Sequence, residues 1–462
     1  MATNLWLNNL INKKVQIAPL IIFRIIFGLM MAISTLRFIL KGWVEDLYIT
    51  PSYYFTYYGF DWVKPLDGSY MYLLFILLFI SSILIMIGFL YRFNIILYFI
   101  LFTYIELIDK TNYLNHYYFI SCISFLLIFL PAHRNFSLDS FLGICTRKTT
   151  CQSWVINCIK LQIGIVYFYA GLSKLNYHWL FEAEPLINWL KHLSDFPIIG
   201  GLFMYDTTAY IFSWFGAVFD LSIFFILINK RYRIWGYLFV VVFHVLTSIM
   251  FPIGVFPLVM IASTLIFFSE EFHNKIIYFI SKILFLKKEK NPTTSDYQFT
   301  QYFKKTISLM YVLFFTLQLL LPFRFLLYPG KLFWTEQGYR FSWRVMLIEK
   351  VGYAQFHVHE PKKDRKMLID NAQYLTPQQE KMMATQPDMI LQYAHFLNTE
   401  FSDSLMIESS GEKILLQDPK ITADIKVSLF NTGSKVFVDP KVNLSKIERG
   451  FKHKDWIINY EN

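Results

Sequence analysis

The sequence predicts a polytopic α-helical membrane protein of about nine transmembrane helices, followed by a C-terminal extracytoplasmic α+β domain. Three observations carry this reading. Of 462 residues, 55% are hydrophobic and 19% aromatic, and only 16% are charged, against about 25% charged in soluble domains. The charges crowd into short blocks between long apolar runs. Beyond Pro329 the composition turns polar over a stretch long enough to fold as a domain.

A spanning helix needs about 20 largely apolar residues. Such runs occupy residues 17–40, 71–91, 93–108, 116–131, 154–172, 209–228, 233–250, 251–268 and 307–328, of which the third, fourth and eighth are short. The first follows Lys13 and Lys14 as a secretory leader would, but it is long enough to span and has no small-residue cleavage site. It reads as a retained helix.

With a cytoplasmic N-terminus, alternation places Lys13, Lys14, Arg92, Arg134, Arg147, Lys148, Lys230, Arg231, Arg233 and the lysine-rich stretch 275–305 inside. Only Lys41, Lys64, Lys110, Lys174 and Lys191 fall outside before the tail. This is the positive-inside pattern. It accounts for the formal net charge of +10 without nucleic acid, since no basic face with interleaved aromatics is present. The division expected is a transmembrane helical domain over 1–328 and an extracytoplasmic α+β domain over 329–462, with a hydrophilic cytoplasmic linker over 287–296.

In the tail, Thr376-Pro377-Gln378-Gln379 combines a cap residue, a proline at the first helical position and a glutamine at the third, so a helix starts there. Ile425, Val427 and Leu429 alternate with Lys426 and Ser428 before Asn431-Thr432-Gly433, which reads as a β-hairpin returning towards Val436 and Val438. His357-Val358-His359-Glu360 reads as an exposed strand, because no further ligands are spaced to complete a metal site. Cys122, Cys145, Cys151 and Cys158 form no CxxC pair, and no metal or redox motif is written.

Polar groups at membrane depth are expensive and therefore candidates for function. Asn115 and His116 open the fourth apolar run, where they can face an aqueous pocket or simply cap the helix and lie at the interface. Lys174 closes the fifth after Ala170-Gly171-Leu172-Ser173. It either snorkels to water or is kept dry by the rings around it, in which case burial would yield a neutral amine able to act as a general base. His244 and Ser248 stand one turn apart in the seventh run, as a pocket pair or as helix packing. Trp334, Tyr339 and Trp343 follow the last run, where they can anchor at the interface or flank a flat aromatic ligand.

These segments resemble the vitamin K-dependent γ-glutamyl carboxylase family and its bacterial horizontally transferred transmembrane-domain (HTTM) relatives. The resemblance runs from about residue 20 to about 450. It is densest in Asp109-Lys110-Thr111 with Asn115-His116, in Ala170-Gly171-Leu172-Ser173-Lys174-Leu175, and in Phe243-His244 with Ser248 and Ile253-Gly254. Gly338-Tyr339 with Ser342-Trp343, Asp388-Met389 and Phe437-Val438-Asp439-Pro440 continue it in the family's order.

The resemblance implies a lyase that carboxylates the γ-carbon of glutamyl residues in a peptide or protein. Its cofactor would be reduced vitamin K or menaquinone, with O2 and CO2 as co-substrates and no metal. It implies that Lys174 deprotonates the naphthoquinol, that Asn115 contacts the quinone or the glutamate, and that His116 assists at the glutamyl carbanion. Trp334, Tyr339 and Trp343 would bound the site, with His244 and Ser248 in a pocket role. The setting implied is the lipid bilayer of a bacterial inner membrane. The family's outer disulfide has no counterpart, since none of the four cysteines lies in an outer loop, and Leu190 stands where the family has a basic residue. Two other functions remain open: a quinol-epoxidising oxygenase without protein carboxylation, and a non-catalytic quinone or lipid carrier.

Overall fold

Apolar chain in lipid has only itself to satisfy its backbone, so the long runs fold as helices. The computed structural model describes residues 13–285, 296–298, 301–360, 365–407 and 413–460. The expected linker over 287–296 lies outside the described residues except for Asp296. A two-stranded ribbon, β1 (Lys14–Gln16) with β2 (Thr150–Gln152), closes one end of the helices. The helices are α1 (Ala18–Leu40), α2 (Ser69–Ile87), α3 (Tyr91–Ile108), α4 (Asn115–Phe129), α5 (Trp154–Lys174), α6 (Asp206–Ile228), α7 (Arg233–Met250), α8 (Phe256–Thr264), α9 (Glu270–Ile283) and α10 (Gln301–Leu320).

Among the described residues, seven helices are long and apolar enough to cross a membrane, or eight if the bent pair formed by α8 and α9 is one span. The difference from nine lies in two runs. The 15 residues of α4 reach about 22 Å, short of a hydrocarbon core of about 30 Å. The run 251–268 starts with non-helical chain through Pro252 and a left-handed Gly254 (φ 64°), and the chain then turns by 113° into α9. Ser269 begins α9 by accepting a hydrogen bond from the Phe272 N–H at 3.3 Å. Tyr278, Phe279 and Ile283 are left exposed along α9.

Two contacts show how the bundle is tied. A Cβ on Gly28 of α1 would meet the Met86 nitrogen of α2 at 2.5 Å, so the two backbones touch. At the end where α3 starts, buried Asp139 accepts from the Leu90 and Tyr91 N–H groups at 2.7 and 3.0 Å, satisfying donors a helix start leaves open.

The tail supplies a four-stranded antiparallel sheet in the order β4-β3-β7-β8, where β3 is Lys350–Glu360, β4 Arg365–Leu368, β7 Lys420–Leu429 and β8 Ser434–Val436. Strands β5 (Leu405–Ile407) and β6 (Lys413–Leu415) form a separate hairpin. Ala354, Phe356 and Val358 of β3 stand opposite Ile425, Ala423 and Ile421 of β7, all buried. Helix α12 (Pro387–Phe401) packs on both strands, with Tyr393 edge-on to Phe356 at 4.9 Å.

The expected hairpin is present as β7 turning into β8. The expected strand at 357–360 is the end of β3, but it is not exposed, since His357, Val358 and Glu360 are buried where β3 lies between β4 and β7. The capping box at Thr376 starts α11 (Pro377–Met383), with Thr376 accepting from the Gln379 N–H at 3.3 Å and the Gln379 side chain accepting from the Thr376 N–H at 3.0 Å.

The tail docks on the helix ends through polar clasps. Gln379 donates to Asp109 at 2.8 Å. Asp388 accepts from Lys110 at 2.9 Å and from Arg340 at 2.7 Å. Burial opposes ionisation of Asp388, but Arg340 and Lys110 hold its carboxyl well below the usual carboxylate range. Burial pulls the Lys110 amine down to about 8 against the attraction of Asp388. The apolar core of the tail continues through Trp179, Leu186, Ala217 and Met250 into the helix ends, with no break at the sheet.

Candidate functional site

The local sequence of α5 and α6 places a buried ion pair. A Cβ on Gly171 would meet the Leu221 nitrogen at 2.7 Å, so the helices touch there and bring Asp220 beside Lys174. Lys174 Nζ donates to Asp220 Oδ2 at 2.7 Å and to the Ala170 carbonyl at 3.4 Å. Lys174 is only 6% exposed and Asp220 5%, so the amine does not snorkel to solvent.

The chain then reverses. Asn176 caps the short helix Tyr177–Phe181 by accepting from the Trp179 N–H at 3.0 Å, and Trp179 is pinned to α6 by its indole N–H, which donates to the Ser213 carbonyl at 2.8 Å. Its ring centre lies 5.3 Å from Lys174 Nζ.

Facing this pair, His244 Nε2 of α7 lies 2.9 Å from the Tyr167 hydroxyl. Its Nδ1 is buried and has no hydrogen-bond partner among the described residues. Lys174, Trp179, Asp220, Phe243, His244 and Phe256 are among the walls of a mainly apolar cavity of about 90 Å³. Next to it lies a larger cavity of about 680 Å³, lined by Asn115, His116, Arg37, Thr111, Gly254 and Arg344 among others. Ile253, Phe256, Val345 and Met346 line both. Phe256 touches both histidines, 5.9 Å from the His116 ring centre and 6.0 Å from that of His244.

The segment 341–346, which lends Arg344, Val345 and Met346 to these walls, is strained. Phe341, Trp343 and Met346 all take left-handed backbone, with φ of 59°, 58° and 56°. Each costs about 1–3 kcal/mol and persists only where the surroundings over-determine it. Asn115 Nδ2 grips this segment by donating to the Arg344 carbonyl at 2.7 Å, while its Oδ1 accepts from the Tyr113 hydroxyl at 3.0 Å. Helix α4 is preceded by Leu114, with no side-chain cap, so Asn115 is a clasp to the tail and not the cap of its helix.

The HTTM domain model matches residues 12–272, more than half of the chain. The chain belongs to the HTTM family. The model of the vitamin K-dependent γ-carboxylase lumenal domain matches residues 303–462 of this HTTM protein. Together they mark it as carboxylase-like and related to an enzyme family with a vitamin K-type cofactor. No solved structure matches the chain.

The HTTM protein brings some of the expected residues together and sets others apart. Lys174 and His244 share one cavity, and Asn115 and His116 line its neighbour. Ser248 does not join them: it is exposed on α7, and Thr247 lines the cavity instead. Trp334 is buried in the tail core, its indole N–H donating to the Ile458 carbonyl at 2.8 Å and its ring edge-on to Phe437 at 4.9 Å. Tyr339 lines a separate cavity of about 280 Å³ with Lys110, Arg340 and Asp388. Trp343 stacks on Tyr118 at 4.7 Å, behind the strained wall. None of the three lines the lysine cavity: Trp334 and Trp343 pack, and Tyr339 faces another cavity.

Sequence reasoning missed Asp220, although an acidic residue inside the apolar run 209–228 carried the same signal that singled out Lys174. It expected burial alone to set the state of the amine, whereas the amine is buried with a carboxylate. Among the described residues no group of three or more His, Cys, Asp or Glu is arranged to hold a metal.

Proposed function

We propose that this HTTM protein is a vitamin K-dependent γ-carboxylase-like enzyme that epoxidises a reduced naphthoquinone with O2 and carboxylates glutamyl γ-carbons with CO2. The observation that carries the reading is a lysine amine held away from water, paired to a carboxylate and walled by aromatic rings, one partition away from Asn115 and His116. The lining suits the hydroxyl-bearing edge of a flat ring system: the walls are aromatic and the Nδ1 of His244, unpartnered among the described residues, offers a polar contact. The rest of the ring system would extend past the shared partition into the larger cavity, since about 90 Å³ does not hold two fused rings.

The γ-carbon of a glutamate is too weak an acid for any side-chain base, and a bound naphthoquinol reacting with dioxygen supplies the missing base strength. In the ion pair the amine carries a proton, so Asp220 would first take it, leaving Lys174 Nζ neutral and able to accept the proton of the ring hydroxyl. Asp220 orients the amine and, in a dry cavity, can carry a proton for it. Trp179 and the phenylalanines exclude the water that would quench a strong base. The larger chamber receives the glutamyl side chain, with His116 and Asn115 at its wall. We further propose that the transmembrane helical catalytic domain spans 1–328 with a cytoplasmic N-terminus, and that residues 329–462 and the lysine cavity face the extracytoplasmic side. The positive-inside pattern supports this orientation.

The test supplies the purified full chain with chemically reduced menaquinone, oxygen, labelled CO2 and a glutamate-rich peptide. Epoxide together with label fixed in the peptide is expected. Epoxide without fixed label would mean an oxygenase that does not carboxylate. Quinone binding with neither product would mean a carrier.

A further inference from the structure

A second cleft, away from Lys174, contains a carboxyl group, that of Glu106 in the last turn of α3. It has a volume of about 290 Å³ and lies between α3, α4 and α10. Phe99, Thr103 and Glu106 line it from one face of α3, spaced by four and three residues. Glu106 has no hydrogen bond or ion pair among the described residues. One turn below, the Thr103 hydroxyl is buried and also has no partner among the described residues.

No Lys or Arg lines the cleft. Lys110 and Arg340 line the neighbouring cavity, beyond the Tyr57, Leu107 and Phe341 that the two share, and both are held by Asp388. An ionised carboxylate in so apolar a cleft needs a counter-charge, and an ionisable group within a transmembrane helix is a functional candidate by default.

The rest of the lining indicates what brings that charge. Near Glu106, the rings of Tyr57, Tyr113 and Tyr118 gather around Phe341 at 5.8, 5.0 and 5.0 Å. Aromatic faces beside a carboxylate favour an organic ammonium, through cation–π attraction added to the ion pair. Towards the middle of the helices the cleft continues along Phe99, Phe125 and Phe314, with Phe125 stacked on Phe314 at 5.4 Å. A purely polar amine has no use for that apolar extension, whereas an acyl chain does.

We propose that this cleft binds a membrane lipid whose headgroup carries a primary ammonium, with Glu106 as its counter-charge. The probe is phosphatidylethanolamine, offered to the detergent-purified full chain together with phosphatidylglycerol of identical acyl chains. Lipid retained on the protein is counted by native mass spectrometry. Retention of the ethanolamine lipid should exceed that of the glycerol lipid by about tenfold, the worth of a desolvated cation–π and ion-pair contact. Glu106→Gln should bring the two to parity. On the unaltered protein, N-acylated phosphatidylethanolamine, which has lost its positive charge, should be retained no better than the glycerol lipid. Equal retention of both lipids by the wild type overturns the proposal, as does a preference that survives Glu106→Gln or N-acylation. Competition by free ethanolamine as strong as by the whole lipid overturns the assignment to a lipid.

Discussion

The Lys174–Asp220 pair admits a test that separates its role in the fold from its role in chemistry. At 2.7 Å the gross attraction between two unit charges is about 6 kcal/mol at an effective dielectric of about 20, and dehydrating both groups offsets much of it. Removing one partner leaves the other charge buried alone, which costs about 3–5 kcal/mol. Lys174→Met and Asp220→Leu should therefore each lower stability by about 3 kcal/mol. The double variant, with an apolar pair in an apolar cavity, should recover most of that loss, giving a coupling of at least about 2 kcal/mol. Thermal unfolding of the four proteins in one detergent reads the cycle, and epoxide formation is assayed beside it. The double variant should be folded and inactive. Additive losses would refute the reasoning, because they would mean that the two side chains do not interact in the folded protein.

Three further outcomes follow from the geometry. Burial, with Glu349 and Glu182 adding repulsion, pushes the Glu184 carboxyl up to about 7, so ionising it disfavours the folded state and stability falls as pH rises from about 4.5 towards 7. Since Glu184 is half-exposed, Glu184→Gln should stabilise by only about 1 kcal/mol at pH 8 and not at all below pH 4.5; equal unfolding temperatures at both pH values would contradict this. Gly28→Ala should cost about 1–3 kcal/mol, because the added methyl forces α1 away from the α2 backbone, and an unchanged unfolding midpoint would deny the close approach. Asp388→Asn removes the partner of both Lys110 and Arg340; with a side chain 38% exposed, its loss should cost about 2 kcal/mol at neutral pH. The wild type should lose this advantage as the solution is acidified below the usual carboxylate range, and a difference independent of pH would count against the ion pair.

Much of the architecture was legible in the chain because it rests on local rules. Apolar runs of spanning length, the Thr376 box and the 425–429 alternation each specify their element through the backbone alone, and each is present. Two runs differ: α4 is only 15 residues long, and in the run 251–268 Pro252 and Gly254 delay α8 while the Ser269 cap begins a new helix across its path.

The residues lining the two candidate cavities were legible at Lys174, His116, Asn115 and His244, where a polar residue interrupts apolar sequence. It was not legible at Trp334 and Trp343, because a tryptophan beside a membrane can anchor, pack or bind, and only tertiary contacts separate these uses. Nor could spacing show that Asp220 meets Lys174, since that depends on the close approach of α5 and α6 permitted by Gly171. Ser248 shows the limit of helical periodicity: a residue one turn from His244 faces outwards, while Thr247, three positions on, reaches the cavity.

The most direct measurement is made on Lys174→Ala, in the full chain with reduced menaquinone and oxygen, with and without small primary amines. If the buried amine is the base, epoxide formation is lost in the variant and returns in part as amines small enough for the vacated cavity are added, while bulky amines of equal basicity restore nothing. Epoxide formation undiminished by the substitution would remove Lys174 from the chemistry, and with it the claim that a dry, carboxylate-paired amine starts the reaction.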